Sequence, residues 1–151
     1  RSGVSSLRAL LVHTHPPIRG EADLHLTALD FQTSVKTLAF DLPDGRLALV
    51  GVPGPAKVLY GAIAKALGVS RSALRPAGEE RLVAIGMEPG GVSPICAADG
   101  VVVLVDESVP GMGVVYCGGG TSTTTVEVDA SAIAQVATHP IVAAIVRQDD
   151  A

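Results

Sequence analysis

One short stretch, Met87–Ile95, constrains the backbone of this chain more than any other. It places two adjacent glycines between two prolines. Glycine accepts positive φ and close approach of other groups, whereas proline fixes its own φ and disfavours a helix in the residue before it. The spacing predicts a rigid loop whose N–H groups are free to bind an anion or an oxyanion. These are the N–H groups of Gly91, Val92 and Ser93. A tight connection between a helix and a strand is the alternative.

Length and composition predict one well-filled domain over residues 1–151. Apolar residues make up 48% of the 151 residues, and the mean hydropathy is positive. The net charge of −4 argues against a general nucleic-acid binder. No apolar run is long enough to span a bilayer, and Arg1–Leu11 does not have the pattern of a secretory signal. We therefore expect a cytosolic protein with no membrane partner and with reduced cysteines at 96 and 117.

A β-hairpin is predicted over residues 34–52. Two strands, Ser34–Leu42 and Arg46–Val52, flank the turn sequence Pro-Asp-Gly. Because side chains alternate along a strand, Lys36 shares a face with Leu38 and Phe40. A lysine in that place is either at the rim of a pocket or snorkelling to solvent from a strand end.

The remaining elements predict helices packed around one sheet. Helices are expected over residues 21–29, 56–67, 70–75, 79–85 and 131–146, and strands over 101–105, up to 117, and 123–128. Several connections between strands are short. We therefore expect an α/β fold of the α+β type, with a central mixed, largely antiparallel sheet surrounded by helices.

Familiar catalytic motifs are missing from the sequence. It has no GxSxG, HExxH or Walker motif, and the second glycine-rich loop, Gly118–Ser122, lacks the Lys-Ser/Thr ending of a phosphate-binding loop. His13 and His15 have no neighbouring residues that complete a metal site, and no cofactor is expected. What remains is a site of amide groups and one lysine, which suits an acyl ester whose carbonyl must be polarised.

Basic residues cluster between residues 57 and 81. Five cations lie in this stretch, against the two acids Glu79 and Glu80. This local basic face could meet a phosphate backbone, or it could be a solvated helical face. The cations are Lys57, Lys65, Arg71, Arg75 and Arg81.

Three segments together resemble the YbaK/ProX family. They are Val35–Leu38, Gly90–Pro94 after Gly86, and Tyr116–Gly120 before a Val-Glu-Val strand, and they span about residues 34–140 in the family's order. Members are free-standing aminoacyl-tRNA deacylases, similar to the editing domain of bacterial prolyl-tRNA synthetases. The resemblance implies hydrolysis of the ester of a mischarged tRNA, commonly a proline tRNA carrying Ala or Cys, with prolyl-tRNA synthetase as a possible partner.

The resemblance also implies roles for individual residues. Lys36 matches the family's essential lysine, which holds the substrate's backbone or terminal phosphate, and the loop that receives the aminoacyl group matches Gly90, Gly91, Val92, Ser93 and Pro94. Substrate binding is implied for Thr37, Cys117, Gly118, Gly119, Gly120 and Thr121. The family's chemistry is attributed to water and the substrate's own groups, which agrees with the absence of a nucleophile–base pair here.

Two other readings stay open at this point. Many family members carry an Arg-Gly-Leu-Asp-like run where this chain has Thr121–Thr125, and Ser where it has Cys117. This difference favours a non-catalytic binder of tRNA 3′ ends or small amino-acid ligands. A thiol hydrolase built on Cys117 would need a histidine beside it and a low thiol pKa.

Overall fold

The computed structural model describes residues 11–17 and 31–147. The helix expected over residues 21–29 lies outside them. Across the described ranges, every helix is too short to cross a bilayer as an apolar span.

One mixed sheet forms the centre of the described structure. Its strands are β1 (Leu11–Thr14), β2 (Ser34–Asp41), β3 (Leu47–Pro53), β4 (Arg75–Pro76), β5 (Val101–Asp106), β6 (Val114–Gly118), β7 (Thr124–Asp129) and β8 (His139–Ala143). The order is β1-β7-β6-β2-β3-β5-β8, and β4 lies beside β2. Antiparallel pairing joins β1–β7, β6–β7, β2–β3 and β2–β4, whereas β2–β6, β3–β5 and β5–β8 are parallel. The predicted mixed sheet with packed helices is confirmed.

The two central strands are buried on both faces. All six residues of β5 are buried, as are the first six of β3. The continuous run of Val and Leu in β5 is typical of a strand with no solvent-facing side, so the predicted strand over residues 101–105 is confirmed. The predicted hairpin is also confirmed, with Gly45 in its turn at a φ of 90°.

Three helices pack against the sheet, which separates the core into two layers. They are α1 (Tyr60–Leu67), α2 (Glu79–Ala84) and α3 (Ser131–Val136). We call the two sides of the sheet the α1 face and the α2 face. The α1 face holds Phe40, Leu42, Val50, Val52, Ile63, Leu67 and Leu104. The α2 face holds Val35, Leu49, Leu82, Val103, Cys117 and Ile133.

The helix predicted from residue 56 begins four residues later, at Tyr60. The preceding segment is held extended by a bridge between Val58 and Val146, and the Leu59 N–H donates to the Ile145 carbonyl at 2.9 Å. These tertiary contacts override local helix propensity. Gly68 ends α1 in the left-handed region at a φ of 74°, as expected for a C-terminal glycine.

The prediction of a terminal helix through residue 146 is wrong after residue 136. The chain leaves α3 and forms β8, which pairs in parallel with β5. Pro140 disfavours a helix at the residue before it, and Ile141 and Val142 suit a strand beside the buried β5. The smaller helices differ less: residues 70–75 form a 3₁₀ turn at Arg71–Ala73, and α2 covers the predicted segment up to Ala84.

A buried carboxylate ties the end of β5 to the segment that follows the edge strand β8. Asp106, at the end of β5, is 1% exposed. Its oxygens accept hydrogen bonds from the Ile145 N–H at 2.9 Å and the Ser108 N–H at 2.9 Å, and from the Ser108 hydroxyl. Burial by itself would raise the pKa of this carboxyl, but the hydrogen bonds from Ser108 and the Ile145 and Val146 amides outweigh it and hold the pKa below its usual range.

Replacing Asp106 should therefore cost stability in a pH-dependent way. Asp106→Asn removes a charged acceptor, and we expect it to lower the free energy of unfolding by about 2 kcal/mol at pH 7. Because the folded pKa lies below the unfolded one, this contribution is complete above the unfolded pKa and is lost as the pH falls through the folded pKa. Urea unfolding at pH 7 and in acid measures both effects. An equal difference between wild type and variant at every pH would contradict the carboxylate's role, and Glu107→Gln, at the exposed position next to Asp106, is the control.

Candidate functional site

The two glycine-rich loops lie against each other and are joined through their main chains. We call them the first glycine loop (Met87–Pro94) and the second glycine loop (Gly118–Ser122). The Gly120 N–H donates to the Gly91 carbonyl at 2.7 Å, and the Glu88 N–H donates to the Gly120 carbonyl at 2.9 Å. The Ser122 N–H donates to Glu88 Oε1 at 2.6 Å. The loops therefore act as one rigid unit at the end of β6.

Glycine is required where the two loops touch. A Cβ on Gly91 would lie 2.1 Å from the Thr121 carbonyl group, and one on Gly118 would lie 2.2 Å from the Val92 carbonyl oxygen. Real Cβ atoms do not come this close to a main chain, so any side chain would push the loops apart. Gly90 and Gly120 have φ values of 86° and 103°, where L residues are strained.

The expectation of three free amides in the first glycine loop is wrong for two of them. The Gly91 N–H donates to the Glu88 carbonyl at 3.0 Å, and the Ser93 N–H points at Met87 Sδ at 3.4 Å. A loop that turns this sharply and is buried against a second loop has to satisfy its own amides internally. Among the described residues, no hydrogen bond engages the N–H groups of Gly90 and Val92, so of the three amides expected to be free the Val92 N–H is the one that can donate to a ligand.

Ser93 is a structural residue in this geometry. Its side chain is 5% exposed, and its hydroxyl accepts the Ile95 N–H at 3.1 Å. The next residue, Pro94, packs under the sheet, because a Cβ built on Gly51 of β3 would lie 3.6 Å from the Pro94 Cβ. The first glycine loop therefore lies on the α2 face, below the paired residues Gly51 and Thr37.

Thr37 carries a buried hydroxyl on the same face. It pairs with Gly51, and within the described part of the chain its Oγ1 is buried without a hydrogen-bond partner. Buried hydroxyl groups are normally satisfied, so an unpaired one beside a loop with an unused amide is a candidate ligand contact.

One side of β2 is open beside these groups. The ladder between β2 and β6 stops at Val35–Cys117, and the ladder between β2 and β4 begins at Phe40–Pro76. Residues 36–38 therefore have no paired strand on this side among the residues that the structure describes, whereas the Ala39 carbonyl accepts the Ala77 N–H at 2.9 Å. The hydrogen bonds from Gly54 N–H to Ser34 and from Leu42 N–H to Arg46 show that even-numbered residues of β2 bond to β3. Thr37 consequently directs its main-chain groups into the open side.

Lys36 lies on the other face of the same strand. It alternates with Thr37, so it shares the α1 face with Leu38 and Phe40, as predicted. The side chain is exposed, and its Nζ donates to the Ala56 carbonyl at 2.7 Å. The structure therefore brings Thr37 to the glycine loops, and it places Lys36 at the same open side but on the opposite face.

The thiol-hydrolase reading of Cys117 is wrong. Its side chain is 3% exposed and packs in the α2-face core near Val35 and Val115. Burial raises the pKa of the thiol to about 12. The reactive thiolate would then be on the order of 10⁻⁵ of the population at pH 7. A substrate contact at this position would have to come from the main chain.

The threonine-rich run after the second glycine loop is bonded internally. Thr121 Oγ1 lies 2.8 Å from Thr124 Oγ1, and the Gly119 N–H donates to the Thr124 carbonyl at 3.1 Å. The carboxylate next to this run comes from Glu88 of the first glycine loop. Glu88 was not among the site residues predicted from the sequence. The one feature that could have indicated it is its position directly before Pro89 and the pair of glycines.

No metal centre is formed by the described residues, since no three His, Cys, Asp or Glu side chains lie close enough together there. His13 Nε2 lies 3.2 Å from Glu127 Oε1, and His15 Nε2 lies 2.8 Å from Thr125 Oγ1. Both histidines therefore tie β1 to β7.

One family model matches this chain, and solved structures share its fold. The family model of the aminoacyl-tRNA editing domain matches residues 15–136. The crystal structure of a hypothetical protein superposes with a TM-score of 0.74 at 22% identity, covering 97% of this chain and 100% of that chain. A proposed trans-editing enzyme for prolyl-tRNA synthetase superposes with a TM-score of 0.73 at 25% identity, covering 97% and 90%. Among curated protein sequences, none matches this chain.

The contact between the loops predicts that substitution of Gly91 lowers turnover and that substitution of Ser93 does not. Gly91→Ala should displace the second glycine loop and lower any turnover at this site roughly a hundredfold, as expected for a misplacement of about 1 Å. Ser93→Ala should leave turnover near normal and cost about 1–2 kcal/mol of stability, because the Ile95 N–H loses its acceptor. Single-turnover rates and melting curves measure the two effects. Gly100→Ala is the control, since a Cβ there meets nothing within 4 Å. An inactive serine variant beside an active glycine variant would point to a nucleophilic serine instead.

Glu88 can be tested separately as the link between the loops. Glu88→Gln keeps an oxygen that can accept the Ser122 N–H, whereas Glu88→Ala leaves that amide without its acceptor. We expect Glu88→Ala to lower the free energy of unfolding by about 1–3 kcal/mol and Glu88→Gln to lower it by less. Urea unfolding of the two variants gives the comparison, and equal losses would show that the hydrogen bond to Ser122 contributes nothing.

Proposed function

This chain belongs to the aminoacyl-tRNA editing domain family, and we propose that it is a trans-editing deacylase that hydrolyses the ester of a mischarged tRNA. The proposed substrate is a proline tRNA that carries a wrong small amino acid such as Ala or Cys. The observation that carries the proposal is the rigid pair of glycine loops, which leaves the Val92 N–H unengaged next to the open side of β2. The relative proposed to act in trans for prolyl-tRNA synthetase supports it. The reaction would take place in the cytosol, with prolyl-tRNA synthetase as a possible partner.

The aminoacyl group is proposed to bind on the α2 face, between the glycine loops and Thr37. An ester carbonyl there could accept the Val92 N–H, and the Thr37 hydroxyl could bond a polar group of the substrate. Water adds to the carbonyl carbon, and negative charge collects on the carbonyl oxygen, where a fixed amide stabilises it without reorganising. The bond to the ribose oxygen then breaks, that oxygen takes a proton, and the products are the free amino acid and uncharged tRNA.

The proton transfers are assigned to the substrate and to water. Ser93 is engaged with Ile95, and Cys117 is buried with a pKa of about 12, so neither supplies a nucleophile. A hydroxyl of the terminal ribose lies next to the scissile ester in every aminoacyl-tRNA and can orient the attacking water. This assignment makes the reaction depend on positioning, which is what a rigid loop pair supplies.

Lys36 is proposed to hold a phosphate near the terminal nucleotide. It is exposed, it lies one residue from Thr37, and its Nζ now bonds only a main-chain carbonyl in the described structure, that of Ala56. A phosphate would be a stronger, charge-assisted partner for the ammonium group than that carbonyl. Because Lys36 and Thr37 lie on opposite faces, the phosphate and the acyl group would lie on the two sides of the open strand.

A non-catalytic binder of tRNA 3′ ends remains the second candidate. The observation in its favour is that the run Thr121–Thr125 carries no carboxylate, whereas many relatives have one there. A panel of mischarged tRNAs separates the two candidates. A deacylase releases Ala or Cys from proline tRNA faster than it releases Pro, whereas a binder retards the spontaneous hydrolysis of all of them.

Lys36→Ala is the single substitution that tests the proposed role of Lys36 most directly. Lys36→Ala should lower deacylation by about two to three decades with an unchanged melting curve, because a charge-assisted contact worth roughly 2–4 kcal/mol is lost from an exposed position. Arg46→Ala removes an equal charge at the hairpin turn, where Arg46 is paired with Asp44, and should have normal activity. Near-normal turnover of Lys36→Ala would remove Lys36 from the site.

A further inference from the structure

The cations of the described structure fall into two groups. Arg46 and Arg81 form ion pairs with Asp44 and Asp41 at the hairpin end. The other six make no ion pair with an acid in the described ranges, and all six are exposed. They are Lys36, Lys57, Lys65, Arg71, Arg75 and Arg147.

Five of the six unpaired cations are gathered at the α1 face, whereas Arg75 lies opposite Asp41 on the α2 side of β2. Lys65 lies on α1 and Arg71 in the turn that follows it, whose neighbours Val69 and Leu74 pack into the α1-face core. The Arg147 N–H donates to the Lys57 carbonyl at 2.7 Å, so two cations that are 90 positions apart in sequence lie beside each other. No acidic residue occurs from Gly45 to Gly78, the segment that supplies most of this face.

An exposed aromatic ring lies within the same group. Tyr60, the first residue of α1, is 42% exposed, and the Arg71 guanidinium carbon lies 5.7 Å from its ring centroid. The Tyr60 ring contacts Phe40 edge-on at 6.2 Å, which fixes it on the sheet. A cation and an exposed ring held together are what single-stranded nucleic acids bind, through phosphates and stacked bases.

We infer that the α1 face, with Lys57, Lys65, Tyr60 and Arg71 at its centre, is the docking surface for the acceptor arm of tRNA. The inference rests on the proposed function and adds the side from which the substrate arrives. The arm's phosphates bind the unpaired cations, and the single-stranded 3′ end passes Lys36 and crosses the open side of β2. Lys36 on the α1 face and Thr37 on the α2 face are consecutive residues, so the end has a short path to the glycine loops.

The test compares two pairs of substitutions that remove the same charge. Lys65→Gln/Arg71→Gln takes two cations from the α1 face, and Arg46→Gln/Arg81→Gln takes two from the hairpin end. Binding of uncharged tRNA is followed by fluorescence anisotropy between about 50 and 200 mM salt. We expect the first pair to weaken binding at least about tenfold at low salt and to lower the slope of log K against log salt by about 1 to 2. The second pair should match wild type.

Hydrolysis of a small substrate separates this inference from the proposed function. With an aminoacyl ester of adenosine, Lys65→Gln/Arg71→Gln should be as active as wild type, and with mischarged tRNA its KM should rise while kcat is retained. If wild type cleaves neither substrate, the proposed function fails. If it cleaves both and the first pair has a normal salt slope and KM, the docking surface is wrong and the basic face serves another partner, such as an acidic protein.

Folding of the variants does not limit the test. Lys65 is exposed on a helix, and Lys65→Gln alone should fold normally and still lower the salt slope by about 1. Tyr60→Ala adds an independent check, because it removes a stacking surface and no charge. It should weaken binding to a single-stranded CCA-ended oligonucleotide roughly tenfold with an unchanged salt slope. Unchanged binding of that oligonucleotide would exclude Tyr60 from the surface.

Discussion

The contact between two glycine-rich main chains supports the rest of the candidate site. Gly91 and Gly118 bring the loops within a distance that no side chain permits, and the hydrogen bond from the Gly120 N–H to the Gly91 carbonyl closes the contact. One loop follows α2 and the other follows β6, so the sheet and a helix fix their relative position. The position of the Val92 N–H depends on both. A site without a side-chain nucleophile needs this rigidity, since its catalysis comes from placing groups that do not move.

Local chemistry explains the parts of the fold that were predicted correctly. The hairpin follows from its Pro-Asp-Gly turn, the ends of α1 and α2 from Gly68 and Gly86, and the buried β5 from its unbroken apolar run. The errors came from long-range pairing. The segment that contains Ile141 is apolar enough for a helix, and its pairing with β5, together with Pro140, makes it a strand. A local sequence pattern does not indicate which distant strand will pair with a segment.

The site shows the same division between local and long-range information. Both glycine loops and Lys36 stand out in the sequence through their composition and alternation. The partners of the amides do not, because they depend on the path of the folded loop, which brings the Glu88 carbonyl to the Gly91 N–H and Met87 Sδ to the Ser93 N–H. Alternation along β2 correctly separated Lys36 from Thr37, but the open side of the strand depends on where the β6 and β4 ladders stop. Those end points are properties of the assembled sheet.

The two faces of the sheet differ in charge, and this difference bears on how an anionic substrate could approach. On the α2 side, Glu88 of the first glycine loop and Glu79 and Glu80 at the start of α2 are exposed, whereas the α1 face has cations without paired acids in the described structure. A chain of net charge −4 repels a polyanion on average, so binding requires a local field of the opposite sign. Fields of exposed charges fall off within about 10 Å at moderate salt, so the α1 face can attract phosphates while the α2 side excludes them. An uncharged ester carbonyl is not repelled by exposed acids when it lies beside the glycine loops. The phosphates and the ester of one substrate are therefore best accommodated on opposite faces, which is what the alternation of Lys36 and Thr37 provides.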